Sequence, residues 1–294
     1  MFKVRKYNFS KITSLRCCLV LLCSLMIFST INSCKKDPPV VDNLFDGNVI
    51  ILGHRGMGEL YKYPGNTWES IAPAIEIGVD GCEVDIQMTK DSVLVLYHDT
   101  YLEDKTNCDS TIYSHNWSEI SGCTYYSSMD NIYLISVDNL FSRLPDVKSK
   151  YFSFDVKIAD GVTDPVVYFG TFSRAIQNIC AKYNMTEQVF VEGQQYLLNA
   201  FRDAGLQNKI FINSGVDIYT SSEQAAEMGA YGVACSAKNV TKEDVKAAHN
   251  KGLHVMMWGM QTNAENKEAI AKNPDIVQTD KPIEMLKMFD RYKK

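Results

Sequence analysis

The chain reads as an α/β protein, a (β/α)₈ TIM barrel with a small insertion after the second strand. Three observations carry that reading. Short β-type runs alternate strictly with helical patterns, which implies parallel strands joined by helical crossovers. Eight such units fit into the residues that follow an N-terminal leader, close to the ~250 residues of a typical barrel. An open doubly wound sheet is the competing arrangement, but "GHRGMG" is not the G-x-G-x-x-G fingerprint and no P-loop is present.

The elements follow in order. "NVIILGH" is the first strand, and "NTWESIAPAIEIG" the helix after it, ending on Gly78. "GCEVDIQMT" is the second strand, with "SVLVLYHD" pairing beside it as an extension. A Tyr- and Asn-rich stretch from about 100 to 135 then breaks the rhythm, long enough to be an insertion or lid. The alternation resumes with helix "VDNLFSRLPDVKS", strand "YFSFDVKI" and the long helix "DPVVYFGTFSRAIQNICAKY". Strands "EQVFVEG", "KIFINS", "YGVACS", "HVMMWGM" and "DIVQTD" complete the eight, each followed by a helical pattern.

Residues 1–33 are set apart as a lipoprotein signal peptide. Lys3, Arg5, Lys6, Lys11 and Arg16 precede the apolar run "CCLVLLCSLMIFST", which is shorter than the about 20 residues of a bilayer span. "INSC" resembles a bacterial lipobox, which makes Cys34 the lipidated first residue of the mature chain, followed by a tether over 34–47 and a barrel over 48–294. An uncleaved signal anchor is the alternative. The expected location is the bacterial cell envelope, with the membrane reached through lipid on Cys34. Without the leader, 25 Lys and Arg face 35 Asp and Glu. That acidic balance argues against a nucleic-acid partner. Of the cysteines, Cys82, Cys108, Cys123, Cys180 and Cys235 remain, with no C-x-x-C pair for zinc. Cys108 and Cys123 can pair outside the cytoplasm; buried free thiols are the other reading.

Strand parity locates the chemistry. Side chains alternate between faces, so in "CEVDIQ" Cys82, Val84 and Ile86 face the helices while Glu83 and Asp85 point into the barrel. In "YFSFDVKI" the same parity turns Asp155 and Lys157 inward. Buried carboxylates need ionic partners, and an all-oxygen donor set favours Ca²⁺ or Mg²⁺ over zinc. His54 and His98 close neighbouring strands at the C-terminal face, where barrels of this type carry their sites. Two imidazoles, Arg55 and a hard cation suit cleavage of a phosphodiester: one imidazole takes a proton, the other returns one, and the cations stabilise the phosphoryl oxygens.

Here the sequence resembles the glycerophosphodiester phosphodiesterases. "HRG" at His54–Gly56, "PGNT" at Pro64–Thr67, "GVDGCEVDIQMTKD" at Gly78–Asp91 and "HD" at His98–Asp99 follow the family's order, and "GLHVMMWGM" and "DIVQTDKP" follow its close. The resemblance implies hydrolysis of glycerophosphodiesters to sn-glycerol 3-phosphate and an alcohol, with His54 and His98 as the acid/base pair. It implies Arg55 and Lys157 as phosphate ligands and Glu83, Asp85 and Asp155 as metal ligands. The chain departs from the family pattern at Gly65, where glutamate is usual, at Asp155, usually glutamate, and at Gln261, commonly asparagine. "VEGQQ" replaces a Ser-Phe turn and sets Glu192 inward. Two alternatives follow from these departures: a phospholipase D-type lyase acting on lysophospholipids or sphingolipids to form cyclic phosphates, and a non-catalytic binding lipoprotein. Trp258 can wall the substrate pocket, and Tyr125 and Tyr126 its mouth. His249 and His254 read as structural; His115, in the insertion, can reach substrate.

Overall fold

The structure, a computed structural model, describes Met1 and residues 37–127, 131–215 and 217–294. The chain divides into two units, Met1–Pro38 and Pro39–Lys294. The first lies almost wholly outside the described residues, and with it the signal peptide and Cys34. Among the described residues, no helix is long and apolar enough to cross a membrane.

The second unit is the expected barrel. Eight parallel strands run β1 (Ile50–His54), β2 (Gly81–Met88), β4 (Tyr151–Val156), β5 (Val189–Gly193), β6 (Lys209–Asn213), β7 (Gly232–Ser236), β8 (His254–Met260) and β9 (Ile276–Thr279). Each pairs with the next, and β1 pairs with both β2 and β9, which closes the sheet. β3 (Leu94–Leu96) runs antiparallel to β2 and takes up its edge beyond Glu83, where the pairing with β1 ends.

Helices cover the outside: α1 (Trp68–Glu76), then, beyond the insertion, α3 (Val137–Arg143), α4 (Pro165–Tyr183), α5 (Gln195–Asp203), α6 (Ile218–Glu227), α7 (Lys242–His249), α8 (Asn263–Ile270) and α9 (Pro282–Met288). Their starts are chemically marked. Ser136, Asp164, Thr241 and Thr262 each accept a backbone N–H of the first turn, and Pro165 and Pro282 occupy first-turn positions where a missing N–H costs nothing.

The predicted strand parity holds. Cys82, Val84, Ile86, Phe154 and Val156 join the core between sheet and helices. Inside the barrel, Leu52, Phe190, Phe211, Ala234, Met256 and Ile276 form a separate apolar plug. The inward positions above that plug carry the polar groups: Glu83 and Asp85 on β2, Ser153 and Asp155 on β4, Glu192 on β5 and Gln278 on β9. The barrel is thus filled with hydrocarbon toward the N-terminal ends of its strands and with carboxylates and amides toward the other end.

The insertion has a small core of its own. Two 3₁₀ turns (Leu102–Asp104 and Ile112–Ser114) and α2 (Trp117–Ile120) fold over Val95 and Tyr97, burying Leu102, Ile112, Ile120, Ile132 and Leu134. A Cys108–Cys123 disulfide closes it, while Cys82, Cys180 and Cys235 are buried free thiols.

The tether expected over 34–47 is not loose throughout. From Val41 on it is bound to the N-terminal end of the barrel. Val41 is buried, and the Asn43 amide donates to Asn48 O (2.7 Å) and Pro274 O (2.9 Å). Leu44 N–H donates to Asp275, and Phe45 stacks on His254. The reason is the fully buried Asp275 carboxylate, which also binds His249 (2.8 Å) and the Val255 N–H. His249 and His254 are therefore structural, as expected.

Candidate active site

The loop after β1 is shaped by backbone conformation before any side chain acts. Arg55 takes φ +51°, unusual for a residue with a Cβ, and Gly56 and Gly58 take +103° and +92°. A Cβ on Gly58 would lie 2.4 Å from Asp280 O, so only glycine allows the loop to close against the end of β9. The loop is then tied at three points. Gly58 N–H donates to His54 O (3.1 Å), Glu59 N–H to Asp280 Oδ1 (2.9 Å), and Arg55 N–H to Glu83 Oε2 (3.0 Å).

Glu83, Asp85 and Asp155 bring carboxylate oxygens within 4.8 Å of one another. Register explains it: Asp85 and Asp155 are direct partners across β2 and β4, and Glu83 lies one inward position below. Glu83 and Asp85 are essentially inaccessible to solvent. Burial and the neighbouring Asp85 push the Glu83 carboxyl above the usual carboxylate range, although His54 and Arg55 pull the other way. Burial would also raise Asp85, but Lys157 and Arg55 overcome it and hold Asp85 below the usual carboxylate range. Lys157 Nζ reaches Asp85 Oδ1 (3.0 Å) and Asp155 Oδ2 (2.6 Å). Arg55 Nε sits 2.8 Å from Asp85 Oδ2, too far off line for a hydrogen bond, while Nη1 meets Glu59 at 3.0 Å. The Asn66 amide donates to Asp85 Oδ2 (2.7 Å) and accepts the Asp85 N–H (3.1 Å).

Each imidazole has its own carboxylate. His54 Nδ1 is 2.7 Å from Asp280 Oδ1, and its Nε2 is 3.7 Å from Glu83 Oε2. Burial disfavours a charge on His54, but Glu83 and Asp280 outweigh it and raise the pKa to about 9. His98 Nδ1 is 2.8 Å from Asp99 Oδ1. A ring whose Nδ1 is engaged by a carboxylate leaves Nε2 as the nitrogen for chemistry.

One cavity of about 470 Å³ collects His54, Arg55, Glu83, His98, Asp155 and Lys157. Trp258, Glu192 and Gln261 line it as well, so of the catalytic, substrate-binding and metal residues singled out by sequence all but the buried Asp85 line it, and Asp85 joins the cluster through Glu83 and Asp155. Tyr125 and Tyr126 lie instead on an adjoining cavity, and His115 on neither. His115 is occupied within the insertion, 3.2 Å from Asp109 O. Glu192 is buried and accepts from Ser153 Oγ and Gln278 Nε2; burial, together with Asp155 and Glu83, pushes its carboxyl up to about 8. Asp280, Asn66 and Gln278 are site residues that lie within the sequence motifs but carry no role predicted from them. Parity was the available signal for two of them, because Ile276, Gln278 and Asp280 alternate inward along and just beyond β9.

A deep acidic cluster flanked by two carboxylate-held imidazoles at the C-terminal mouth of a barrel is an arrangement for chemistry on a phosphate ester. The model of the glycerophosphoryl diester phosphodiesterase family matches residues 54–284. The chain belongs to this family. A glycerophosphodiester phosphodiesterase of Caldanaerobacter subterraneus subsp. tengcongensis is 24% identical over 244 residues, 81% of this chain and 97% of its own length. The fold is shared with a glycerophosphodiester phosphodiesterase of Parabacteroides distasonis (TM-score 0.69, 20% identity, 83% of this chain and 97% of that one). It is shared also with an Oleispira antarctica phosphodiesterase solved with the product sn-glycerol-3-phosphate (TM-score 0.70, 15% identity, 82% and 96%). Membership makes the chain an enzyme, a phosphoric diester hydrolase.

Proposed function

We propose that the chain hydrolyses glycerophosphodiesters to sn-glycerol 3-phosphate and an alcohol in a metal-dependent reaction, with His54 and His98 as the acid/base pair. The observation that carries this reading is a cluster of three carboxylates, two of which (Glu83 and Asp155) line one cavity together with two carboxylate-oriented imidazoles.

Glu83, Asp85 and Asp155 fit a hard divalent cation, Ca²⁺ or Mg²⁺: they offer oxygen only, and two are buried at a density of negative charge that cations must offset. Such an ion, when bound, polarises the phosphoryl oxygen and neutralises charge developing on it. The chain's own groups do the rest. Arg55 and Lys157, at the rim of the acid cluster, present positive charge to the phosphate. One imidazole removes a proton from the attacking water and the other protonates the departing alkoxide, while Asp280 and Asp99 fix the two rings. Trp258 offers an apolar wall, and Glu192 and Gln261 offer acceptors and donors for hydroxyl groups. That polar lining supports a glycerol moiety rather than the long apolar groove a lyase on lysophospholipids would need.

At Gly65 the stem of Arg55 packs where a side chain would stand, and Glu83, Asp85 and Asp155 form their cluster without the family's glutamate. The Cys108–Cys123 disulfide fits an oxidising compartment and so supports placement in the cell envelope, anchored through lipid on Cys34.

The test is release of glycerol 3-phosphate from glycerophosphodiesters by the full chain with Ca²⁺ or Mg²⁺. His54→Ala and His98→Ala are each expected to lower the rate by about 10²- to 10⁴-fold. Near-normal turnover in both variants would refute the assigned roles.

A further inference from the structure

A second cavity of about 410 Å³ opens beside the first. Arg55, Glu59 and His98 line both, so the two share a threshold at the place where the phosphate reading puts the scissile bond. The loop after β1 forms one wall through Pro64, Gly65 and Asn66. The insertion forms the other through Asp104, Tyr125 and Tyr126.

Gly65 is what lets the chamber reach the threshold. A Cβ there would lie 2.7 Å from Arg55 Cβ and 3.2 Å from Cδ, so any larger residue must displace the Arg55 stem or enter the opening. The charges around the chamber are not equally available. Glu59 is held by Arg55, and Asp99 by His98. Asp104 and Lys105 have no ion pair among the described residues. Tyr126 is largely exposed beside them, and a tyrosine ring face attracts an organic cation.

Resting on the phosphodiesterase reading, we propose that this side chamber receives the alcohol half of the diester, and that Asp104 with Tyr126 selects an alcohol bearing an ammonium group. The glycerol half then occupies the cavity walled by Trp258, Glu192 and Gln261, and the phosphate lies between the two.

The experiment compares kcat and KM for glycerophosphocholine, glycerophosphoethanolamine and the uncharged-headgroup ester glycerophosphoglycerol. It uses the full chain with Ca²⁺ or Mg²⁺ and the surface variants Asp104→Asn, Tyr126→Ala and Lys105→Ala. Loss of an exposed cation–ring or ion contact corresponds to roughly 3- to 5-fold in binding. Asp104→Asn and Tyr126→Ala are therefore expected to raise KM for the two cationic esters by that factor, with kcat unchanged and glycerophosphoglycerol unaffected. Equal effects on all three esters, no effect on any, or a headgroup preference carried by Lys105 would overturn the inference while leaving the parent reading in place. Failure of the unaltered chain to cleave any of the three would remove both.

Discussion

Asp280 and Asp99 hold the Nδ1 atoms of His54 and His98, and these two contacts decide what the imidazoles can do. Asp280 also accepts the Glu59 N–H, so one carboxylate sets both the ring and the loop beside it. Asp280→Asn should keep the fold but lose the charge that orients and sustains the imidazolium. The expected cost in kcat is between about 10²- and 10⁴-fold, with the smaller effect on KM; a variant within twofold of the parent would show that Asp280 is only a loop ligand. Much of this site was legible beforehand because strand parity sorts residues into two faces: Glu83 with Asp85, and Asp155 with Lys157, follow from the alternation of "CEVDIQ" and "YFSFDVK". What parity cannot supply is side-chain pairing across the barrel. Asp280 meets His54 over 226 positions of sequence, and Asn66 meets Asp85 from a loop that has no period to read.

At the level of elements, the two departures from plain barrel rhythm are each held by a local device. The insertion is closed by the Cys108–Cys123 bond, with a sequence separation of 15, and a loop of that size gains about 3 kcal/mol from cross-linking in the chain-entropy description. Replacing both cysteines by serine is expected to speed amide exchange across 100–127 and 131–135 while the barrel strands stay protected; uniform loss of protection would mean the insertion and barrel unfold as one. Sequence marked this segment only as a break in rhythm, since its apolar residues Leu102, Ile112, Ile120, Ile132 and Leu134 follow no strand or helix period.

The segment 41–47 is held by the buried Asp275. Burial would raise the Asp275 carboxyl, but His249, His254 and the Val255 N–H outweigh it and hold it at about 2. A folded pKa below the unfolded ~3.9 stabilises the native state above that unfolded value, and the contribution is lost as pH falls from about 4 to 2; its size is roughly 2 kcal/mol. Urea unfolding of Asp275→Asn should therefore show a deficit at pH 7 that narrows toward pH 2. A deficit independent of pH would assign the loss to packing instead. A short polar stretch before the first strand reads as linker, which is why this binding was not foreseen: its partner lies 231 positions downstream.

Over the whole molecule, closure of β1 against both β2 and β9 is what brings residues from the two ends of the chain to one mouth. The eight-unit count was readable because each β run is bounded by its helix. The carboxylates of the upper layer were readable from strand parity, whereas the apolar plug of Leu52, Phe190, Phe211, Ala234, Met256 and Ile276 below them was not singled out from sequence. The stacking of mutually repelling acids at the top is unfavourable without cations, so a divalent ion that binds the folded chain should raise its stability. At a concentration of 100 times Kd, the gain is about 2.7 kcal/mol.

The most direct test of the central claim is the rate of glycerol 3-phosphate release by the full chain after chelation, before and after Ca²⁺ or Mg²⁺ is restored. The expectation is near-complete loss on chelation and recovery with the ion in the parent chain, with Glu83→Gln and Asp155→Asn requiring far more ion or failing to recover. Undiminished turnover by the chelated chain, or recovery that ignores both substitutions, would contradict a cation held by Glu83, Asp85 and Asp155.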